Sequence, residues 1–280
     1  MKEGDTSTLE GSFVVPDGGH IAYRVEGVKS VGPPLLLIRP LGGSMDLWGS
    51  FRSLLATQHR VIAYDLRGTG RSSADPGCVG TRALAADALL LLDHLEVDRA
   101  NVFGLSLGAM IATWLAATAS SRVAKLCLAS APARGLVLTR AGLLRELSLA
   151  ACFLRPIEDV EACIVARILS SRFRTTSPRA ASTIDGQLHA APTPSASRLS
   201  LFKHAFAAIR HDARSVLGHI EAPTLVLAGD EDALLDAEAP RELARGIPNA
   251  TFETIREAGH DVTLEQPGAT AARVSLFFAA

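Results

Sequence analysis

The sequence predicts an α/β fold built on a mostly parallel, doubly wound sheet, with an N-terminal β-hairpin and an inserted helical lid. Three observations predict it. Short apolar runs recur along the chain, helical patterns alternate with them, and one long stretch, 132 to 220, breaks that alternation.

The first element is the hairpin. SFVV (12 to 15) and HIAYRVEG (20 to 27) flank Pro16-Asp17-Gly18-Gly19, a turn cluster between alternating apolar residues. The rhythm then changes to runs of the kind buried on both faces of a parallel sheet: PPLLLI (33 to 38), RVIAYD (60 to 65), RANVFG (99 to 104), VAKLCLAS (123 to 130) and PTLVLAG (223 to 229). Between them, residues 81 to 95 keep apolar positions at helical spacing behind Thr81 as a cap, and 107 to 119 form an alanine-rich helix beginning directly after Ser106. The stretch from 132 to 220 is mostly helical in pattern, with turn-rich pieces at SSRFRTTSPRAAS (170 to 182) and HAAPTPSAS (189 to 197). A connection of that length is rarely structureless, so it reads as a helical lid between two strands. The predicted core is then 1 to 131 with 221 to 280, and the lid 132 to 220.

Composition narrows the function classes. The chain has 280 residues, 48% of them hydrophobic, which is ample for a buried core. Lys plus Arg number 28 against 29 Asp plus Glu, so no basic field invites nucleic acid and the expected partner is a small molecule. The four cysteines, Cys78, Cys127, Cys152 and Cys163, lack CxxC or zinc-type spacing and are too sparse for a disulfide framework; they read as reduced core or lid residues. MKEGDTSTLEGSF at the N-terminus lacks the basic start and apolar stretch of a signal peptide, and no apolar run approaches membrane length. The expectation is a cytoplasmic protein with no membrane partner, a monomer or homodimer. His204, His211 and His219 recur near seven-residue spacing, but without an acidic partner pattern they read as surface positions on the lid and not as metal ligands.

The chemistry centres on Gly104-Leu105-Ser106-Leu107-Gly108, between a predicted strand and a predicted helix. Glycines two residues either side let the turn close tightly and leave the serine hydroxyl exposed at the carboxyl edge of the sheet. The helix starting there aims its amides at developing oxyanion charge. A serine hydroxyl is a poor nucleophile until a base takes its proton, so an acid and a histidine should follow in that order. Asp232 lies just beyond PTLVLAG, with Asp230 as a competitor two residues away, and His260 follows the predicted strand TFETI (251 to 255) in Ala258-Gly259-His260-Asp261.

With these residues in place, the chain resembles the α/β-hydrolase family. The resemblance runs from about Gly11 to the C-terminus through DLRGTGRS (65 to 72), GLSLGAM (104 to 110), APTLVLAGDED (222 to 232) and AGHDVTLEQP (258 to 267). GLSLGAMIATWLAA followed by RVAKLCLASAPAR is most similar to the 3-oxoadipate enol-lactonases and their esterase relatives. The resemblance implies Ser106 as nucleophile, Asp232 as acid and His260 as base, and it favours Asp232 over Asp230. It also implies an oxyanion hole from the backbone amides of Leu41 and Leu107. Where many members have His-Gly, this chain has Arg39-Pro40; proline has no N–H, but the family does not use the amide at that position. The implied fold points Arg39 toward the pocket, either to pair with a substrate carboxylate or to serve a structural ion pair.

The implied activity is cleavage of a small carboxylic ester or lactone through an acyl-enzyme, with no cofactor and no metal. The same triad also serves C–C bond hydrolases, biosynthetic acyltransferases or cyclases, and cofactor-free perhydrolases. A serine nucleophile excludes the branches that attack through a carboxylate. From another class, a receptor that keeps the fold but turns over little is the alternative.

Overall fold

The computed structural model describes residues 8–28, 32–42, 44–73, 80–135, 151–178 and 198–280. The strands are β1 (Leu9–Val14), β2 (His20–Gly27), β3 (Leu35–Ile38), β4 (Arg60–Tyr64), β5 (Ala100–Leu105), β6 (Val123–Ala129), β7 (Thr224–Gly229) and β8 (Ala250–Ile255). They form one sheet in the order β1-β2-β4-β3-β5-β6-β7-β8. β1 and β2 are the predicted hairpin, and β2 pairs antiparallel with β4; every pairing from β4 through β3 to β8 is parallel. Each apolar run named above supplies one strand.

Why those runs are continuously apolar is visible in β3. Leu35 and Leu37 join one core cluster and Leu36 and Ile38 the other, all four fully buried. One face is covered by α1 (Gly49–Ala56) and α9 (Pro267–Ala279), through Phe51, Leu55, Val274 and Phe278. α2 (Thr81–His94), α3 (Leu107–Thr118) and α7 (Glu238–Gly246) cover the other, through Leu84, Leu91, Ile111, Leu115 and Leu243. Each such side chain contributes about 1.5–3 kcal/mol by leaving water, so this two-sided burial holds the sheet rigid beneath its loops.

In the inserted stretch, the described elements are a 3-10 turn Ala151–Leu154, α4 (Ile157–Ile168), α5 (Ser171–Thr176) and α6 (Arg198–Ile209). The turn-rich reading of 170 to 182 is corrected in its first half: Ser170 accepts a hydrogen bond from the Phe173 amide at 3.0 Å and starts α5. HAAPTPSAS lies outside the described residues.

Three other expectations are corrected. Thr81 is not the cap of α2; Gly80 holds that position and the Thr81 hydroxyl meets His211 Nδ1 at 2.9 Å. The three histidines of the inserted stretch are not all on the surface: His204 and His211 are buried, and only His219 of the three is exposed. Burial pushes His211 down to about 4, which keeps its ring neutral near pH 7. No group of three or more His, Cys, Asp or Glu suited to a metal occurs among the described residues. Finally, Cys152 and Cys163 are joined by a disulfide rather than reduced, a pairing of 11-residue separation that nothing in their spacing announces. Cys127 is free and buried in β6, and Cys78 lies outside the described residues. No helix among the described residues is long and apolar enough to cross a membrane.

Candidate active site

In an open parallel sheet, ligands gather beyond the carboxyl ends of the strands, because the loop that leaves each parallel strand emerges on that edge. Four of the loops at that edge carry the predicted site residues: Arg39–Gly42 after β3, Ser106 after β5, Asp230–Asp232 after β7 and Glu257–Asp261 after β8.

Ser106 occupies the turn between β5 and α3 with φ 54° and ψ −117°, a backbone that a residue with a side chain adopts only under constraint. The constraint is identifiable. Its amide donates to the Ala129 carbonyl at the end of β6 at 2.8 Å, while its carbonyl accepts from Ala109 and Met110 in the first turn of α3. The flanking glycine Gly108 explains its place in the motif: a Cβ there would lie 2.0 Å from the Ile38 carbonyl oxygen. Only without a side chain can α3 sit this close to the end of β3. That approach brings the loop carrying Leu41 beside the helix that begins with Leu107.

The side chains predicted from scattered positions converge. His260 Nε2 lies 2.9 Å from Ser106 Oγ, and His260 Nδ1 lies 2.8 Å from Asp232 Oδ2. A carboxylate only accepts, so Nδ1 carries the proton and Nε2 is left to accept from the serine hydroxyl. Asp232 is fixed on its other oxygen, where Oδ1 accepts from the amides of Leu234 at 2.8 Å and Leu235 at 2.9 Å. The competitor points elsewhere: Asp230 is exposed, and its Oδ1 meets the Ala258 amide at 3.4 Å. Gly229 lets the two loops meet, because a Cβ there would stand 2.1 Å from the Gly259 carbonyl.

The electrostatics follow from burial and pairing. For Asp232, burial favours the neutral acid, but the charge and hydrogen bond of His260 and the two amides outweigh it and hold the carboxyl below its usual range. For His260, burial alone would lower the pKa; the Asp232 carboxylate, with Asp261 and Glu265 nearby, raises it above the ordinary value of 6.5. The arrangement can therefore take a proton from Ser106 and hold it on an imidazolium stabilised by Asp232.

Arg39 is only 4% exposed, and its guanidinium lies 4.7 Å over the Trp48 ring. Leu41 is half-buried and packs against the small apolar cluster of the inserted stretch, Cys152, Val160, Cys163, Ile164 and Leu201.

Two contributors were not singled out from the sequence. Asp65, at the head of DLRGTGRS, accepts from the amides of Met45 at 2.6 Å and Arg71 at 2.8 Å, which braces the chain following the Leu41 loop. The second is the contact between the inserted stretch and the His260 loop, where the His260 amide donates to the Ile168 carbonyl at 3.0 Å. The motif could have pointed to Asp65; a contact across 92 residues left no local signal.

Comparison with known proteins agrees with this architecture. Residues 33–267 match the model of the alpha/beta hydrolase fold. A protein of Variovorax paradoxus named carbamate hydrolase RutD is 35% identical over 243 residues, spanning 85% of this chain and 88% of that protein. 3-Oxoadipate enol-lactonase 2 of Acinetobacter baylyi is 30% identical over 241 residues, 85% of each chain. Among solved structures, a hydrolase from Pseudomonas aeruginosa PA01 superposes with a TM-score of 0.81 at 30% identity, covering 97% of this chain and 98% of that one. With a single eight-stranded sheet, a serine on a strained strand-to-helix turn and these relatives, the chain belongs to the alpha/beta hydrolase fold family.

Proposed function

We propose that this protein is a serine hydrolase that cleaves a small carboxylic ester or lactone through an acyl-enzyme. The observation that carries the reading is the continuous hydrogen-bonded line from Ser106 through His260 to Asp232, at 2.9 and 2.8 Å. Ser106 Oγ attacks the acyl carbonyl as His260 Nε2 takes its proton. The tetrahedral oxyanion is received by the amides of Leu41 and Leu107. His260 then passes the proton to the leaving oxygen, and the ester bond breaks. Water, deprotonated by His260, attacks the acyl-serine carbonyl; the acid leaves and Ser106 regains its proton. Every role is filled by a protein group, so the steps require no cofactor.

The relatives' names favour this substrate class, since an enol-lactone and a carbamate both present an acyl carbonyl to a nucleophile. The burial of Arg39 against Trp48 favours a packing role for it over pairing with a substrate carboxylate.

The pH profile tests the reading. The base must be neutral to accept the serine proton, and His260 is raised above 6.5, so kcat/KM on p-nitrophenyl acetate is low in acid and climbs through a single inflection above that value. A flat profile across that range contradicts His260 as the base.

A further inference from the structure

The inserted stretch meets the His260 loop through Ile168 to Arg172, and one side chain gathers that contact. Glu265, the last residue of α8 (Val262–Glu265), is buried, and its carboxylate reaches back rather than out. Oε1 accepts from the Ser170 amide at 2.8 Å and Oε2 from the Ser170 hydroxyl at 2.5 Å, while the Gly259 amide donates to the same carboxylate. Ser170 is thereby used twice, since its oxygen also caps α5. Next to this clasp the His260 amide donates to Ile168. Gly259 leaves the necessary space: a Cβ there would stand 2.5 Å from Glu265 Oε1 and 2.7 Å from the Ser170 amide nitrogen. At the outer edge Arg172 pairs with Glu257 at 2.8 Å.

We propose that Glu265 is a positioning residue for His260: its carboxylate pins Gly259 to Ser170 and so fixes the histidine backbone against the inserted stretch. The proposal rests on the serine-hydrolase reading. Asp232 orients only the imidazole ring; something must also hold the backbone from which the ring projects, on a loop that follows β8, the edge strand of the sheet among the described residues. A buried carboxylate with three N–H or O–H donors supplies that hold through charge-assisted bonds, which are stronger than neutral ones. Loosening it displaces Nε2 from Ser106 Oγ, and displacements of about 1 Å at a reacting pair cost rate by up to about 100-fold.

The test measures the second-order rate at which a fluorophosphonate labels Ser106, per folded molecule, beside kcat and KM on p-nitrophenyl acetate. Glu265→Ala is expected to slow labelling and lower kcat about tenfold or more, with KM changed by less than about twofold. Ser170→Ala is expected to lose roughly three- to fivefold, as for the one hydrogen bond it gives up to Glu265, its lost cap of α5 bearing on stability, and the double variant to be no slower than Glu265→Ala, because both act through one network. Glu265→Gln, which keeps one acceptor oxygen but loses the charge and the second oxygen, is expected to fall between wild type and Glu265→Ala. Glu265→Ala or Ser170→Ala with wild-type labelling and a lowered Tm overturns the proposal, since that pattern belongs to a merely structural residue. If Glu265→Ala does not fold, Ser170→Ala and Glu265→Gln decide it by the same criteria. Absence of labelling in the wild-type protein instead overturns the underlying hydrolase reading.

Discussion

Replacing Ser106 with alanine is expected to lower kcat/KM on p-nitrophenyl acetate by a factor on the order of 10⁴ to 10⁶. The size of the effect follows from the site's logic. In the proposed mechanism His260 and Asp232 act only through the serine oxygen, so removing that oxygen idles the whole line at once and leaves only binding and the proposed oxyanion amides. The fold should survive the change: Ser106 Oγ holds no backbone group, and the strained turn is fixed by the Ser106 amide on Ala129 and by the close approach at Gly108. An unchanged Tm is therefore expected, because alanine removes none of the backbone bonds that hold the turn. Residual activity within about tenfold of wild type would mean that another nucleophile does the work.

Replacing Asp232 with asparagine is the second large effect, expected at about 10³- to 10⁴-fold in kcat. Asparagine is nearly isosteric and still offers an oxygen to the Leu234 and Leu235 amides, so the turn persists. Its amide can then present N–H to His260 Nδ1, which favours the tautomer with the proton on Nε2, facing Ser106, where it cannot accept. The negative charge that raises His260 is lost as well, so the remaining activity should show its inflection at lower pH than wild type. Asp230→Asn, two residues away and exposed, is expected to change kcat by less than about threefold. A greater loss for Asp230→Asn than for Asp232→Asn would exchange the two assignments.

Much of this was legible in the sequence, for physical reasons that differ by element. β3 to β7 announce themselves because strands buried on both faces must be apolar throughout, and LLLI or TLVLAG leaves little else to be. The serine turn is legible because its geometry demands glycine at both flanks; Gly108 could not carry a Cβ 2.0 Å from Ile38 oxygen. Asp232 and His260 were legible as order after strand ends, though composition alone does not choose between Asp230 and Asp232. The distances to His260 do.

What was not legible involves pairs brought together only by the fold. Thr81 looks like a cap until Gly80 takes the position and His211, 130 residues on, takes the hydroxyl. His204 and His211 carry no local mark of burial, and two cysteines 11 residues apart give no sign of pairing unless the turn between them is known. The Ser170–Glu265 clasp spans 95 residues. The stacking of Arg39 on Trp48 likewise depends on a packing partner that no local pattern specifies.

The central claim is that Ser106 is an activated nucleophile, and covalent capture tests it most directly. Folded protein is treated with a fluorophosphonate at near-neutral to mildly alkaline pH and the adduct is mapped by peptide mass spectrometry. The account predicts one adduct per chain, on Ser106, formed quickly in wild type and greatly slowed in His260→Ala. No adduct, or one on a different residue, would contradict it.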